Sequence, residues 1–158
     1  MQSNNIFFLR SLKISLLIFI AALFELSILP GLWPFLIRPD ILLILSVVMA
    51  MNLGFPGMLI AVLACGALKD AFGAGPFGFN SLVFSLDAFL IYYACRHWYR
   101  ETASLRFIIV MTVTLLNYLL LGIILRRPYI ITGLVEGGLN CLFLPWIERL
   151  STFSYAYK

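Results

Sequence analysis

The sequence predicts an all-α polytopic membrane protein, folded as one compact bundle of six transmembrane helices over residues 1–158. Three observations predict it. The chain is 63% hydrophobic and only 11% charged, whereas a soluble domain carries about 25% charged residues. Its apolar residues fall into six runs separated by Gly, Pro and charged residues. Its basic residues also crowd onto alternate connections, as the positive-inside rule requires of a polytopic protein.

The first run, residues 12–29, follows a polar start ending at Arg10. It is longer than a signal-peptide core, and no small-x-small cleavage site follows Leu29, so it reads as a span. Pro30, Gly31 and Pro34 then turn the chain. The second run, 40–53, opens behind Asp40, a residue type that caps helix N-termini, and stops at Gly54-Phe55-Pro56. The third, 56–70, starts with Pro56, whose missing donor costs nothing in a first helical turn. These two runs are short: about thirteen helical residues rise only ~20 Å, against a hydrocarbon core of ~30 Å. Two short spans joined by a tight turn are expected, with a re-entrant hairpin as the alternative. The fourth, fifth and sixth runs cover 77–95, 105–125 and 129–147.

With the N-terminus inside, the inner face holds Arg10, Lys13, Arg96, Arg100, Arg106, Arg149 and Lys158, against Arg38, Lys69, Arg126 and Arg127 outside. Both termini are therefore expected in the cytoplasm, with Arg126-Arg127 the discordant feature. The net charge of +4 belongs to this membrane-surface bias. No basic patch interleaves with aromatics on a soluble face, so nucleic acid is not an expected partner.

The segment Lys69-Asp70-Ala71-Phe72-Gly73-Ala74-Gly75-Pro76-Phe77-Gly78 reads as a Gly/Pro-rich corner carrying one acid and one base. Irregular backbone at membrane depth survives only against protein or beside water. Asp70, at a helix C-terminus, opposes the macrodipole and needs compensating contacts from Arg38 or from an amide of the following loop. Three further carboxylates, Glu25, Asp87 and Glu136, fall within spans, where no Lys or Arg is expected to pair with them. They should face the bundle interior, a wet cavity, or carry a proton. Hydrogen bonding to Asn117, Asn140, Ser27 or Thr114 is the plain reading; a grip on a partner helix and a cation or proton path are the alternatives.

Small residues recur at helical spacing. Gly57, Ala61, Ala64 and Cys65 share a face of the third run, and Gly133 with Gly137 form a GxxxG pair beside Glu136 in the sixth. Such faces let helices approach closely, within the chain or against a partner, and are compatible with a homodimer. Gly137-Gly138 and Pro145 make the sixth helix the one expected to bend. Cys65, Cys95 and Cys141 are isolated apolar-run residues without CxxC spacing, and His97 has no ligand cluster around it. There is no nucleophile elbow, HExxH or phosphate loop. The expectation is a protein that is not an enzyme and carries no cofactor.

Three local patterns resemble the rod-shape-determining MreD family of bacteria. Arg38-Pro39-Asp40 leads into Ile41-Leu42-Leu43-Ile44-Leu45, as in that family's entry to a leucine-rich second span. Gly66 to Gly78 follows its pattern of Gly, apolar residues, Asp, a small pair, and Leu/Phe-Gly. Asn140 with Pro145-Trp146 is similar to the end of its last span. Gly73-Ala74 stands where a Ser-Gly pair is common, and Glu25 where a neutral amide is expected. The resemblance implies a non-enzymatic subunit of the cell-elongation machinery in the cytoplasmic membrane. It implies MreC, a single-span protein, as partner, and MreB, RodA and its partner transpeptidase as indirect ones.

The bundle expected of that family is also similar to the six-helix substrate-binding subunits of energy-coupling-factor vitamin transporters, which is the rival reading. Such a subunit should converge polar and aromatic groups on its outer face, where Trp33, Arg38, Asp70 and Arg126-Arg127 are a thin set. A proton-coupled transporter would need facing half-helices and a connected polar path. No internal repeat is visible.

Overall fold

A computed structural model describes residues 2–32, 38–72, 77–98, 103–126 and 129–152. Gly73 and Pro76 of the glycine-rich corner lie outside the described residues, as does Arg100 of the basic connection. Among the described residues the chain forms six helices and no strands. The first, α1, is an α-helix over Gln2–Leu23, widens into a π-helical turn at Phe24–Ile28, and closes with an α-helical turn at Leu29–Leu32. The others are α2 (Ile41–Asn52), α3 (Phe55–Phe72), α4 (Phe79–Trp98), α5 (Ala103–Leu125) and α6 (Ile130–Thr152).

The shortest helix is the centre of the bundle. α2 is apolar on every face, which suits a helix with no exposed side, and every residue from 41 to 50 is buried. It packs against all five other helices. Leu42, Ile44, Leu45 and Met49 are at most 1% exposed. Polar side chains within it bond back to its own carbonyls: Ser46 Oγ donates to Leu43 O at 2.7 Å, and Asn52 Nδ2 to Val48 O at 2.7 Å. Leu53 is extended (φ −96°, ψ 153°) and ends α2. α3 then starts at Phe55 with Pro56 in its first turn, as its missing donor allows.

Around α2 stand two tightly packed helix pairs, α3 with α4 and α5 with α6. Glycines set both contacts. A Cβ on Gly66 would lie 2.4 Å from Ser81 Cα, so α3 and α4 touch backbone to backbone there. Gly78 has φ +92°, in the region that favours glycine, and starts α4 by accepting from Leu82 N–H. A Cβ on Gly133 would lie 2.9 Å from Tyr118 Cβ, and one on Gly137 would lie 2.5 Å from Met111 Sδ. The GxxxG face of α6 is therefore spent on α5, inside the chain. Of the two uses the sequence leaves open for Gly133 and Gly137, within the chain or against a partner, the structure has the first. In the third run the small stripe is split: Ala61 and Cys65 are buried, while Gly57 is exposed with open space around it.

Four helical segments are long and apolar enough to cross a membrane: Leu12–Gly31, Phe55–Phe72, Ser104–Ile124 and Ile130–Leu150. α3 covers Phe55–Phe72, so it adds one residue before and two after the expected run of 56–70. The corner read as starting at Lys69 starts after that residue. α2, at twelve residues, is too short to cross on its own. α4 has the length, but Asn80, Asp87 and Arg96 lower its hydropathy. The exterior is apolar, with Leu16, Phe19 and Ile20 of α1 and Leu142, Trp146 and Leu150 of α6 all more than half exposed.

The backbone contact at Gly66 gives a direct test. Gly66→Ala pushes a methyl into Ser81 backbone and should cost about 1–3 kcal/mol, the usual range for overpacking. Gly57→Ala, in open space within the same helix, should be neutral or stabilising by under ~1 kcal/mol. Thermal unfolding of both variants in detergent measures the difference. Equal midpoints would contradict the packing described.

Candidate functional site

The N-terminus of α2 lies inside the bundle, and its free N–H groups must find acceptors in protein. Three elements supply them. Asp40 is the N-cap: its Oδ1 accepts from Leu43 N–H at 3.0 Å, as the sequence predicts. Glu25 Oε2, from the π-helical turn of α1, accepts from Leu42 N–H at 2.6 Å. Asn140 Oδ1, from α6, accepts from Asp40 N–H at 2.8 Å. Asn140 is fully buried, and its Nδ2 donates to Thr114 Oγ1 of α5 at 3.1 Å. Thr114 in turn donates to Val110 O at 2.8 Å.

Lys69, near the end of α3, closes this cluster. Its ammonium donates to Asp40 Oδ2 and lies 3.5 Å from Glu25 Oε1. It also sits over the Phe84 ring of α4, 5.4 Å from the centroid. Sequence reading placed no cation within reach of the in-span carboxylates, and Lys69 is the correction. In the sequence it stands at a corner, because Asp70 and three glycines follow. The ammonium offsets the two apposed carboxylates, and the N-terminal dipole of α2 favours negative charge at this end.

Asp70 closes a second network. Its carboxylate faces the start of α4, where Oδ1 accepts from Asn80 N–H and Nδ2 at 2.9 Å each. Oδ2 accepts from Ser81 N–H at 3.0 Å and Ser81 Oγ at 2.6 Å. The compensation expected for an acid at a C-terminus thus comes from the next helix, not from Arg38. Asp70 is 6% exposed and fully bonded, a helix cap supplied from a neighbouring helix.

The remaining carboxylates differ from one another. Glu136 of α6 accepts from the Tyr118 hydroxyl of α5, a partner missed from sequence although the GxxxG pairing of α5 with α6 brings it there. Asp87 of α4 is 2% exposed. It lies near Asn117 of α5, yet neither its oxygens nor the Asn117 amide atoms make a hydrogen bond. Ser27 is exposed and takes no part.

Two cavities flank the cluster. One, of about 340 Å³, is lined by Glu25, Arg38, Asp40, Lys69 and Glu136. The other, of about 220 Å³, is lined by Asp40, Lys69, Asn117, Tyr118 and Glu136 with Phe79 and Phe84. Arg38 is exposed at the rim, Pro39 is buried, and Pro145 and Trp146 lie on the outer surface of α6. Of the sequence-predicted residues, Arg38, Pro39, Asp40, Glu136 and Asn140 come together here. Asp70 and Gly78 sit at the α3–α4 junction, and Gly133 and Gly137 in the α5–α6 contact. No family model, curated protein or solved structure matches the chain.

Removing the cation should expose the dependence of the cluster on it. Lys69→Met strands two apposed carboxylates and should destabilise the protein by about 3 kcal/mol, the scale of a broken buried pair. Adding Asp40→Asn, which keeps a capping oxygen, should recover part of that loss. The check is the unfolding midpoint of single and double variants. A double variant less stable than Lys69→Met alone would contradict the assignment.

Proposed function

We propose that this chain is a non-enzymatic scaffold of the bacterial cell-elongation complex. In this reading it sits in the cytoplasmic membrane as a six-span protein with both termini inside, and it holds the single span of MreC. One observation supports it above the others. Four residues that carry the resemblance are consumed in holding helices together: Asp40 and Asn140 at the start of α2, Asp70 and Gly78 at the start of α4. Their carboxylates and amides are mutually satisfied, and none is poised as a nucleophile or general base. Such a pattern specifies a shape, and a shape serves recognition.

The partner surface follows by elimination. Gly133 and Gly137 are occupied by α5, so a bound helix needs another face. Pro145 and Trp146 are the resemblance residues of α6 left outside, with Trp146 75% exposed. Trp146 borders an apolar groove of about 250 Å³ between α1 and α6, with Ala21, Phe24, Leu45 and Phe143. Helix association in lipid runs on such van der Waals fit.

A second reading, the substrate-binding subunit of a vitamin transporter, draws on the 340 Å³ cavity, within the range of small-molecule sites. One experiment separates the two. Trp146→Ala should abolish co-purification with MreC while the protein keeps its level in the membrane, and depletion of the intact protein should round the cells. Gly137→Leu should instead lower the level of folded protein. Rod-shaped cells after depletion, together with a vitamin retained through purification, would sink the scaffold reading. Labelling of Arg100→Cys by an impermeant outside reagent would overturn the topology.

A further inference from the structure

Among the described residues, four buried side-chain atoms find no hydrogen-bond partner: Oδ1 and Oδ2 of Asp87, and Oδ1 and Nδ2 of Asn117. They belong to two side chains that lie beside each other, one on α4 and one on α5. Unpartnered buried polar atoms are uncommon in native proteins, and their falling together in one place calls for one explanation.

The setting is apolar. Asp87 is 2% exposed and shares the buried face of α4 with Val83, Phe84, Ala88 and Ile91. It lines neither of the two cavities beside the α2 cluster. The titratable groups of the helices packed against α4 are engaged elsewhere. Lys69 of α3 pairs with Asp40 and Glu25, and Asp70 accepts from Asn80 and Ser81. In α5, Tyr118 donates to Glu136 and Arg106 pairs with Glu148. Cys65 of α3 is a buried free thiol, and α2 carries no titratable side chain. Among the described residues no charge of either sign acts on Asp87. An ionised carboxylate there would stand bare, which is costly at membrane depth.

Charge and hydrogen bonding have the same remedy. An ionised carboxylate only accepts, so beside Asn117 it takes an amide N–H and leaves Asn117 Oδ1 without a donor. A protonated carboxyl offers one O–H donor and one carbonyl acceptor, which match the carbonyl and the N–H of a primary amide. One proton therefore removes the charge and completes two bonds across all four atoms. A water molecule would satisfy the hydrogen bonds but not the charge.

We propose that Asp87 is a proton-binding site: its carboxyl stays neutral in the folded protein, donates O–H to Asn117 Oδ1 and accepts N–H from Asn117 Nδ2. The pair clasps α4 to α5, and so ties the α3–α4 pair to the α5–α6 pair. It does not depend on the cell-elongation reading. Folding takes up the proton, because an aspartate in the unfolded chain is ionised above about pH 4. The unfolded state then binds fewer protons than the folded one, so this group's contribution to stability falls as pH rises above that value.

The test uses the full chain in lipid nanodiscs, made by cell-free synthesis with aspartate carrying carbon-13 in its side-chain carboxyl. The aspartates of the chain are Asp40, Asp70 and Asp87, so an isotope-shifted infrared band reports on few groups. At neutral pH the wild type should show a protonated-carboxyl C=O band that shifts with the label. Asp87→Asn should remove that band. Asn117→Leu should move it to higher wavenumber, because the carbonyl loses its hydrogen bond. In detergent, between about pH 5 and 7, the folding constant of the wild type should fall about tenfold per pH unit relative to Asp87→Asn. No labelled carboxyl band in the wild type, a band that survives Asp87→Asn, a band unmoved in Asn117→Leu, or equal pH dependence of the two proteins would overturn the proposal.

Discussion

A twelve-residue helix rises ~18 Å, well short of a ~30 Å hydrocarbon core, and α2 is placed at the centre of the bundle with every residue from 41 to 50 buried. Its first N–H groups are therefore buried among side chains, and each one left bare would cost free energy that packing in lipid cannot return. The cap built by Asp40, Glu25 and Asn140 answers that constraint. Because the acceptors come from the start of α2, from α1 and from α6, satisfying the backbone also fixes where those helices stand. Lys69 then makes two neighbouring carboxylates tolerable and ties α3 to the same point.

The rest of the architecture follows from the same need to satisfy polar groups without water. α4 starts against the Asp70 carboxylate, so its first amides are bonded before any solvent contact is required. The π-helical turn at Phe24–Ile28 adds a residue to α1 at the depth where Glu25 meets α2. π-turns of this kind gather at functional positions, and here the widened turn carries a capping side chain. Close glycine contacts at Gly66, Gly133 and Gly137 draw the outer helices in. Dispersion grows with proximity, and in lipid it is a main source of helix affinity.

Much of this was legible in the sequence, for physical reasons that can be named. The apolar run after Asp40 marks a helix and its cap, though its composition suits a short span as well as the buried centre it forms, and Gly78 marks a backbone angle that other residues avoid. Lys69 was not legible as a partner of Glu25, because a charged pair before several glycines also describes a corner. Its partners Asp40, Glu25 of α1 and Phe84 of α4 lie far from it in sequence. Glu25 was visible as a costly in-span acid, but its target, the Leu42 amide, depends on a helical irregularity with no sequence signal. The GxxxG face of α6 was read correctly as a close-packing surface. Its partner turned out to be α5 of the same chain, and spacing alone carries no information on that choice.

The central claim is that the buried start of α2 organises the bundle. Hydrogen exchange of the protein in lipid nanodiscs tests it most directly, since exchange reports the free energy of local opening. The amides of α2 should be the slowest in the chain. Glu25→Met, which removes the acceptor for Leu42 N–H, should accelerate the first turn of α2 and the adjoining segments of α1 before the α5–α6 pair responds. Fast exchange of α2 in the intact protein, or an α2 indifferent to Glu25→Met, would contradict the account.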